Sequence, residues 1–271
     1  MNFINLNGKI TERAQTGLPA DNGAFRYGYG LFETMLVKDG AIQLKDLHWE
    51  RLFDGLRQLY FEVPKLLTPT FLENEVMRTV QKNQGGHLCR VRLQMYAAGG
   101  GLYGLESKSP GFLIECFPLE PEAILINENG LHIGVAEGLN KSMDSLSNLK
   151  SCNALIYAIA ARQAKAHKWN DALICNTHGN IIESTIANIF WVKENVVYTP
   201  PLIEGCVAGV MRRYMMSQIP VTEKKLLLID ILGADEVFLT NAIKRIKWVR
   251  NLGDVVYSPS KSISIYSSIF G

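Results

Sequence analysis

The sequence predicts an α+β fold built from two domains, and three observations carry that prediction. Strand-length runs that alternate apolar and polar residues are mixed with helical periods, without the strict strand–helix alternation of a doubly wound sheet. One stretch, Phe117-Pro118-Leu119-Glu120-Pro121-Glu122, sets two prolines among acidic residues and reads as a linker. The 271 residues suffice for two cores of ordinary size, and 47% hydrophobic against 20% charged residues is the balance of a chain that folds in water. The expected division is a small N-terminal α/β domain over residues 1–117, a linker over 118–124 and a larger C-terminal domain over 125–271.

In the N-terminal part, Phe3-Ile4-Asn5-Leu6-Asn7 gives a short strand signal that leads into Gly8, a turn residue. Leu31 to Lys38 alternates and stops at Asp39-Gly40, a hairpin signal. Leu44 to Leu59 sets Leu47, Leu52, Leu56 and Leu59 at helical spacings, with Arg51 and Arg57 between them. Phe71 to Gln81 is a second helix, ended by Gly85-Gly86. His87 to Tyr96 and Gly111 to Phe117 read as strands, separated by the flexible run Ala97-Ala98-Gly99-Gly100-Gly101.

The C-terminal part opens with a strand, Leu131 to Ala136. A polar stretch, Ser142 to Asn148, then leads to Leu149-Lys150. Asn153 to His167, rich in Ala and Ile, is a helix. Ala172 to Cys175, Ile181 to Ile182, Ile189 to Val192 and Val196 to Thr199 are strands, the first two joined by a turn at Thr177-His178-Gly179-Asn180. Gly209 to Ser217 reads as a helix and Val237 to Thr240 as a strand.

Composition narrows the function classes. A net charge of +2 provides no strong field for nucleic acid or a charged surface. Apolar runs such as Ala154 to Ala164 are broken by Arg162 and Gln163 and fall short of a membrane span. The start, Met1-Asn2-Phe3-Ile4-Asn5, has no secretory pattern, so a cytoplasmic location is expected. The five cysteines are an odd number without a CxxC pair and read as reduced core thiols. Cysteines and histidines show no ligand spacing, so no metal is expected.

Four places could carry chemistry. Lys150, between Leu149 and an apolar helix, is either a desolvated lysine whose neutral amine acts as nucleophile and base, or a solvated loop lysine. Glu183, after Ile181-Ile182, could keep a pyridine nitrogen protonated or simply end a strand. Gly205 to Arg212 opens a helix whose free N–H groups favour a phosphate, although no Walker pattern is present. Arg51 could clamp phosphate oxygens or lie on a helix surface. Singly, each pattern keeps both meanings; their order and spacing narrow them.

Taken in order, the segments resemble the class IV, or fold-type IV, pyridoxal 5'-phosphate (PLP) enzymes. That family includes branched-chain and D-amino acid aminotransferases and 4-amino-4-deoxychorismate lyases. The matching pieces are Arg26 to Thr34, His48-x-x-Arg51-Leu52, Asn148 to Asn153, Gly179 to Phe190, Tyr198 to Leu202 and Gly205 to Arg212, and the resemblance runs from Phe3 to Val249. It implies a two-domain, D-amino acid aminotransferase-like fold, with PLP in the larger domain, a pseudo-barrel. It implies Lys150 as the Schiff-base lysine, Glu183 beside the pyridine nitrogen and Arg51 on the cofactor phosphate. It also implies the amides of Val210 and Met211 on that phosphate, Val207 against the ring face, and Thr240 and Asn241 closing the phosphate cup. At Ala242 the chain departs from the hydroxyl residue more usual nearby. Homodimerisation is a further implication.

Two activities compete within this resemblance. A lyase would release pyruvate from 4-amino-4-deoxychorismate and leave 4-aminobenzoate for folate synthesis. An aminotransferase would pass the amine of a branched-chain or D-amino acid to a 2-oxo acid. Leu31-Phe32-Glu33-Thr34, Leu149-Lys150-Ser151-x-Asn153 and Ala208 to Arg212 look lyase-like, and Gly99 to Tyr103 resembles a lyase substrate loop that lacks its frequent arginine. Arg92 stands near where an aminotransferase places a carboxylate-binding arginine. Tyr27, Phe32, Thr34 and Arg92 are thus the expected substrate contacts, and the lyase is preferred. A non-catalytic binding module of the same fold would have lost Lys150 or Glu183, and both are present.

Overall fold

The structure, a computed structural model, describes residues 1–103 and 109–271. The chain divides into two units, one of Met1–Pro121 with Lys150–Asn153, the other of Glu122–Leu149 with Ala154–Gly271.

The first unit holds β1 (Phe3–Leu6), β2 (Lys9–Glu12), α1 (Gly23–Tyr27), β3 (Gly30–Lys38), β4 (Ala41–Ile42), α2 (Lys45–Gln58), α3 (Pro69–Lys82), β5 (Leu88–Ala97) and β6 (Pro110–Pro118). Its sheet runs β2-β1-β6-β5-β3-β4. The alternation along β3 becomes a nine-pair antiparallel ladder with β5, from Gly30 opposite Tyr96 to Lys38 opposite Leu88. Asp39 and Gly40 turn the chain into β4 with φ of 50° and 76°, the left-handed pair that a two-residue hairpin needs. The Thr68 hydroxyl caps α3 by accepting the Phe71 N–H at 3.1 Å, with Pro69 in the first turn. Leu52 and Leu56 of α2 and Leu72 and Val76 of α3 are buried, as are Met35, Val91, Leu93 and Ile114 of the sheet.

The second unit holds β7 (Leu131–Lys141), α4 (Leu155–Ala166), β8 (Asp171–Asn176), β9 (Ile181–Ser184), β10 (Asn188–Lys193), β11 (Val196–Thr199), α5 (Val210–Gln218), β12 (Thr222–Glu223), α6 (Leu228–Leu232), β13 (Glu236–Asn241), β14 (Arg245–Leu252), β15 (Val255–Val256) and α7 (Lys261–Phe270). The sheet order is β12-β11-β10-β13-β14-β7-β8-β9, and β9 also pairs with β10. That last pairing, Asn188 opposite Glu183, closes β10-β13-β14-β7-β8-β9 on itself as a barrel. Ile133, Leu173, Ile189, Val237 and Leu239 share one core cluster; Ala160 and Ala164 of α4 join Ala172, Ile174 and Ile182 in another.

Several elements go beyond the periodicity. β7 continues past Ala136 to Lys141, through Gly138 at φ 66° and an irregular register against β8. β14 and α7 carry no assignment from pattern. Ser262-Ile263-Ser264-Ile265 alternates like a strand, yet it is helical. The Glu236 carboxylate decides this by accepting the N–H groups of Ser260, Lys261 and Ser262 at 2.6–3.0 Å. α4 forms as expected but buries only Ala160 and Ala164, with Leu155 exposed. Among the described residues no helix is long and apolar enough to cross a membrane.

Candidate active site

In the first unit, β3 divides its side chains between two faces. Phe32 and Thr34 lie opposite Gln94 and Arg92 of β5, so these four share a face. Residues 150–153 dock at the start of β3 by backbone pairing. Leu31 bridges Ser151, the Phe32 N–H donates to the Lys150 carbonyl at 3.0 Å, and the Cys152 N–H donates to the Gly30 carbonyl at 2.8 Å. Gly30 allows this approach: a Cβ there would stand 2.4 Å from the Met95 carbonyl oxygen and 3.2 Å from Cys152 Sγ. Lys150 Nζ then lies 4.4 Å from the Phe32 ring centroid, and Arg92 Cζ lies 3.7 Å from the same centroid. Burial pulls the Arg92 guanidinium below its ordinary value, with Cys152 and Glu115 nearby favouring its charge. Tyr27, at the end of α1, donates its hydroxyl to the Gly101 carbonyl at 3.4 Å and packs its ring against Tyr103.

Glu33 points to the other side, towards α2. It accepts from His48 Nδ1 at 2.6 Å and from Arg51 Nε at 2.8 Å, while the terminal guanidinium nitrogen of Arg51 reaches its second oxygen. Burial alone would raise this carboxyl. Arg51 and then His48 outweigh that by charge and hydrogen bonding and hold it at about 2. Arg51 is therefore a fixed fork on a buried carboxylate and not a loose surface side chain.

In the second unit, Glu183, Asn188 and Thr240 stand in one row across β9, β10 and β13. Glu183 is buried. Its Oε1 receives Lys141 Nζ at 2.6 Å and the Tyr157 hydroxyl at 2.7 Å, and its Oε2 receives the Val207 N–H at 2.9 Å. Asn188 Nδ2 donates to the Val207 carbonyl at 2.9 Å, so the Val207 main chain is tied on both sides. Asn148 holds the same loop by donating to the carbonyls of Leu202 and Cys206 and by accepting the Ala208 N–H. Gly209 follows because nothing larger fits: a Cβ would fall 1.8 Å from Asn188 Oδ1.

α5 starts at Val210, and Gly209 before it gives no side-chain cap, so the first amides, those of Val210 and Met211, point out of the helix end. The Thr240 hydroxyl is buried and has no hydrogen-bond partner among the described residues. An orphan donor beside an uncapped helix end suits an anionic group such as a phosphate. Asn241 behaves differently. Its side chain accepts the N–H groups of Ile243 and Lys244 and donates to the Ile186 carbonyl, so it braces its own turn.

The first unit thus gathers Lys150, Phe32, Thr34 and Arg92, with Arg51 anchored on the other side of β3. The second gathers Glu183, Val207, Val210, Met211 and Thr240. Sequence reasoning singled out neither Lys141 nor Tyr157, and it quoted Glu33, His48, Asn148 and Asn188 only as parts of motifs. A buried glutamate in a strand signals that a cation must lie near it, but not which one.

The family model for amino-transferase class IV matches residues 30–252. The chain is 30% identical over 234 residues to aminodeoxychorismate lyase of Vibrio harveyi, spanning 84% of this chain and 85% of that protein. It is 26% identical to aminodeoxychorismate lyase of Bacillus subtilis (strain 168), spanning 94% and 88%. The crystal structure of a branched-chain aminotransferase from Thermoproteus uzoniensis with norvaline superposes with a TM-score of 0.87 at 22% identity, covering 98% of this chain and 92% of that one, a likeness of fold. The chain belongs to the class IV aminotransferase family and is a pyridoxal 5'-phosphate-dependent enzyme with the two-domain fold-type IV architecture.

Proposed function

We propose that the enzyme is a 4-amino-4-deoxychorismate lyase, which releases pyruvate and leaves 4-aminobenzoate. The carrying observation is the Lys150 amine on the Phe32 ring, on the face of β3 shared with Thr34 and Arg92. Likeness to two lyases over most of the chain supports this choice of reaction.

When bound, PLP supplies an aldehyde that joins the substrate amine and a protonated ring that accepts an electron pair. The roles of the chain's own residues follow from charge and position. Lys150 Nζ takes the proton from the carbon that bears the substrate nitrogen. The bond between the adjacent ring carbon and the enolpyruvyl ether oxygen breaks, the substrate ring becomes aromatic, and the departing enolpyruvate takes up a proton to become pyruvate. Glu183 holds a proton at the cofactor ring nitrogen, and Val207 packs on the ring face. Arg51, the amides of Val210 and Met211 and the Thr240 hydroxyl hold the phosphate, with Asn241 shaping the turn beside Thr240. Tyr27, Phe32, Thr34 and Arg92 contact substrate, and Arg92 meets a carboxylate. We further infer a cytoplasmic homodimer serving folate synthesis.

The purified enzyme is tested with 4-amino-4-deoxychorismate beside a panel of amino acids with 2-oxoglutarate. Pyruvate release without amine transfer is the expected result. Brisk amine transfer from leucine or D-alanine would overturn it in favour of the aminotransferase, the reading that Arg92 favours. Sedimentation at micromolar concentration checks the dimer.

A further inference from the structure

Within the second unit, Glu183 does not stand alone. The ammonium of Lys141 is largely buried and lies 2.6 Å from its Oε1, where the Tyr157 hydroxyl also donates at 2.7 Å. Lys141 Nζ also stands 5.4 Å from the Tyr157 ring centroid. The backbone is shaped to bring the lysine there. β7 leaves its register with β8 after Val135, passes Gly138 in the left-handed region, and rejoins at Asn140 opposite Cys175, with Lys141 as the last residue of the strand. A strand continuing in register would not supply this cation. Among the described residues, the Cys206 thiol also feels the Glu183 carboxylate, and Lys141 and Arg212 act on that thiol in turn. Arg212 is engaged elsewhere, with the Pro200 carbonyl and Glu223.

We propose that Lys141 and Tyr157 are positioning residues that keep Glu183 ionised and aimed, so that the proton it shares with the cofactor ring nitrogen rests on the nitrogen. This rests on the reading of Glu183 as the ring-nitrogen partner. A cation touching a carboxylate lowers its proton affinity, and it acts less on a ring nitrogen that lies beyond that carboxylate. Without the ammonium, a buried carboxylate becomes the better proton holder and the electron sink weakens. The Tyr157 hydroxyl adds a hydrogen bond to the ionised form. Burial first, and then the Glu183 carboxylate, push that phenol up, so it stays a donor.

The test uses Lys141→Met, Lys141→Arg and Tyr157→Phe, with two readouts other than turnover. In the cofactor-free protein at neutral pH, the side-chain carboxyl 13C signal of Glu183 is expected to move in Lys141→Met and to return to its wild-type position in Lys141→Arg. With 15N-labelled PLP bound at neutral pH, the ring nitrogen signal is expected at the protonated position in the wild type and Lys141→Arg. It moves towards the unprotonated position in Lys141→Met, and by less in Tyr157→Phe. A ring nitrogen that stays at the protonated position in a folded Lys141→Met protein overturns the inference. If that variant does not fold, Tyr157→Phe decides through the same two signals. An unprotonated ring nitrogen in the wild type would instead sink the Glu183 reading itself, which keeps the two failures distinct.

Discussion

Arg51 and Glu33 form a two-point fork. Arg51 Nε donates to Glu33 Oε1 at 2.8 Å, its terminal nitrogen reaches the other oxygen, and His48 Nδ1 joins at 2.6 Å. The guanidinium is thus oriented by a carboxylate that burial would otherwise make costly.

Acid should weaken this fork with a defined sign. The carboxyl is held at about 2, below its ordinary 4.5, so its stabilisation is present above about 4.5 and is lost as pH falls towards 2. That shift corresponds to about 3 kcal/mol. In urea unfolding at pH 6, Glu33→Gln is expected to be less stable than the wild type by that order, and the gap should shrink steadily below pH 4.5. A gap that does not depend on pH would show that the fork is not what stabilises the fold.

Thr240 presents an opposite combination. Its hydroxyl is buried without a partner among the described residues, an arrangement that costs about 1–3 kcal/mol. Thr240→Val keeps the shape and removes that penalty, so the cofactor-free protein should melt at the same temperature or higher. PLP should bind roughly 10-fold more weakly, the loss of one hydrogen bond to a charged group. Unchanged affinity in equilibrium dialysis would remove Thr240 from the phosphate cup.

Gly209 and Asn188 are coupled by space. A methyl on Gly209 would overlap Asn188 Oδ1 and push away the side chain that holds the Val207 carbonyl. Gly209→Ala should cost about 1–3 kcal/mol. Much of that should vanish when Asn188 is already alanine, because the obstacle is gone. A thermodynamic cycle measured by urea unfolding checks this, and strict additivity would refute it.

Lys150→Ala should abolish the visible absorbance of the PLP-loaded protein. Borohydride treatment should fix the cofactor on the wild-type peptide that contains Lys150, read by mass spectrometry, and on no peptide of the variant. Trapping at another lysine would remove Lys150 from its role.

By itself the sequence determined the local periods and the order of the motifs. The alternation of Leu31 to Lys38 and the leucine spacing of Leu44 to Leu59 are short-range properties, and they reappear as β3 and α2. The same is true of the residue types at Lys150 and Glu183, which stood out because Arg51 precedes them and Gly205 to Arg212 follows. Only the tertiary structure decided which residues meet. Glu183, Asn188 and Thr240 form a row because strands distant in sequence pair in one register, and Lys141 reaches Glu183 because β7 shifts register around Gly138. The helical state of Lys261–Phe270 was decided in the same way, by Glu236 capping a segment whose own pattern reads as a strand. Periodicity records which face a side chain takes within its element. Partners across the barrel depend on long-range backbone pairing, and short-range pattern holds no trace of it.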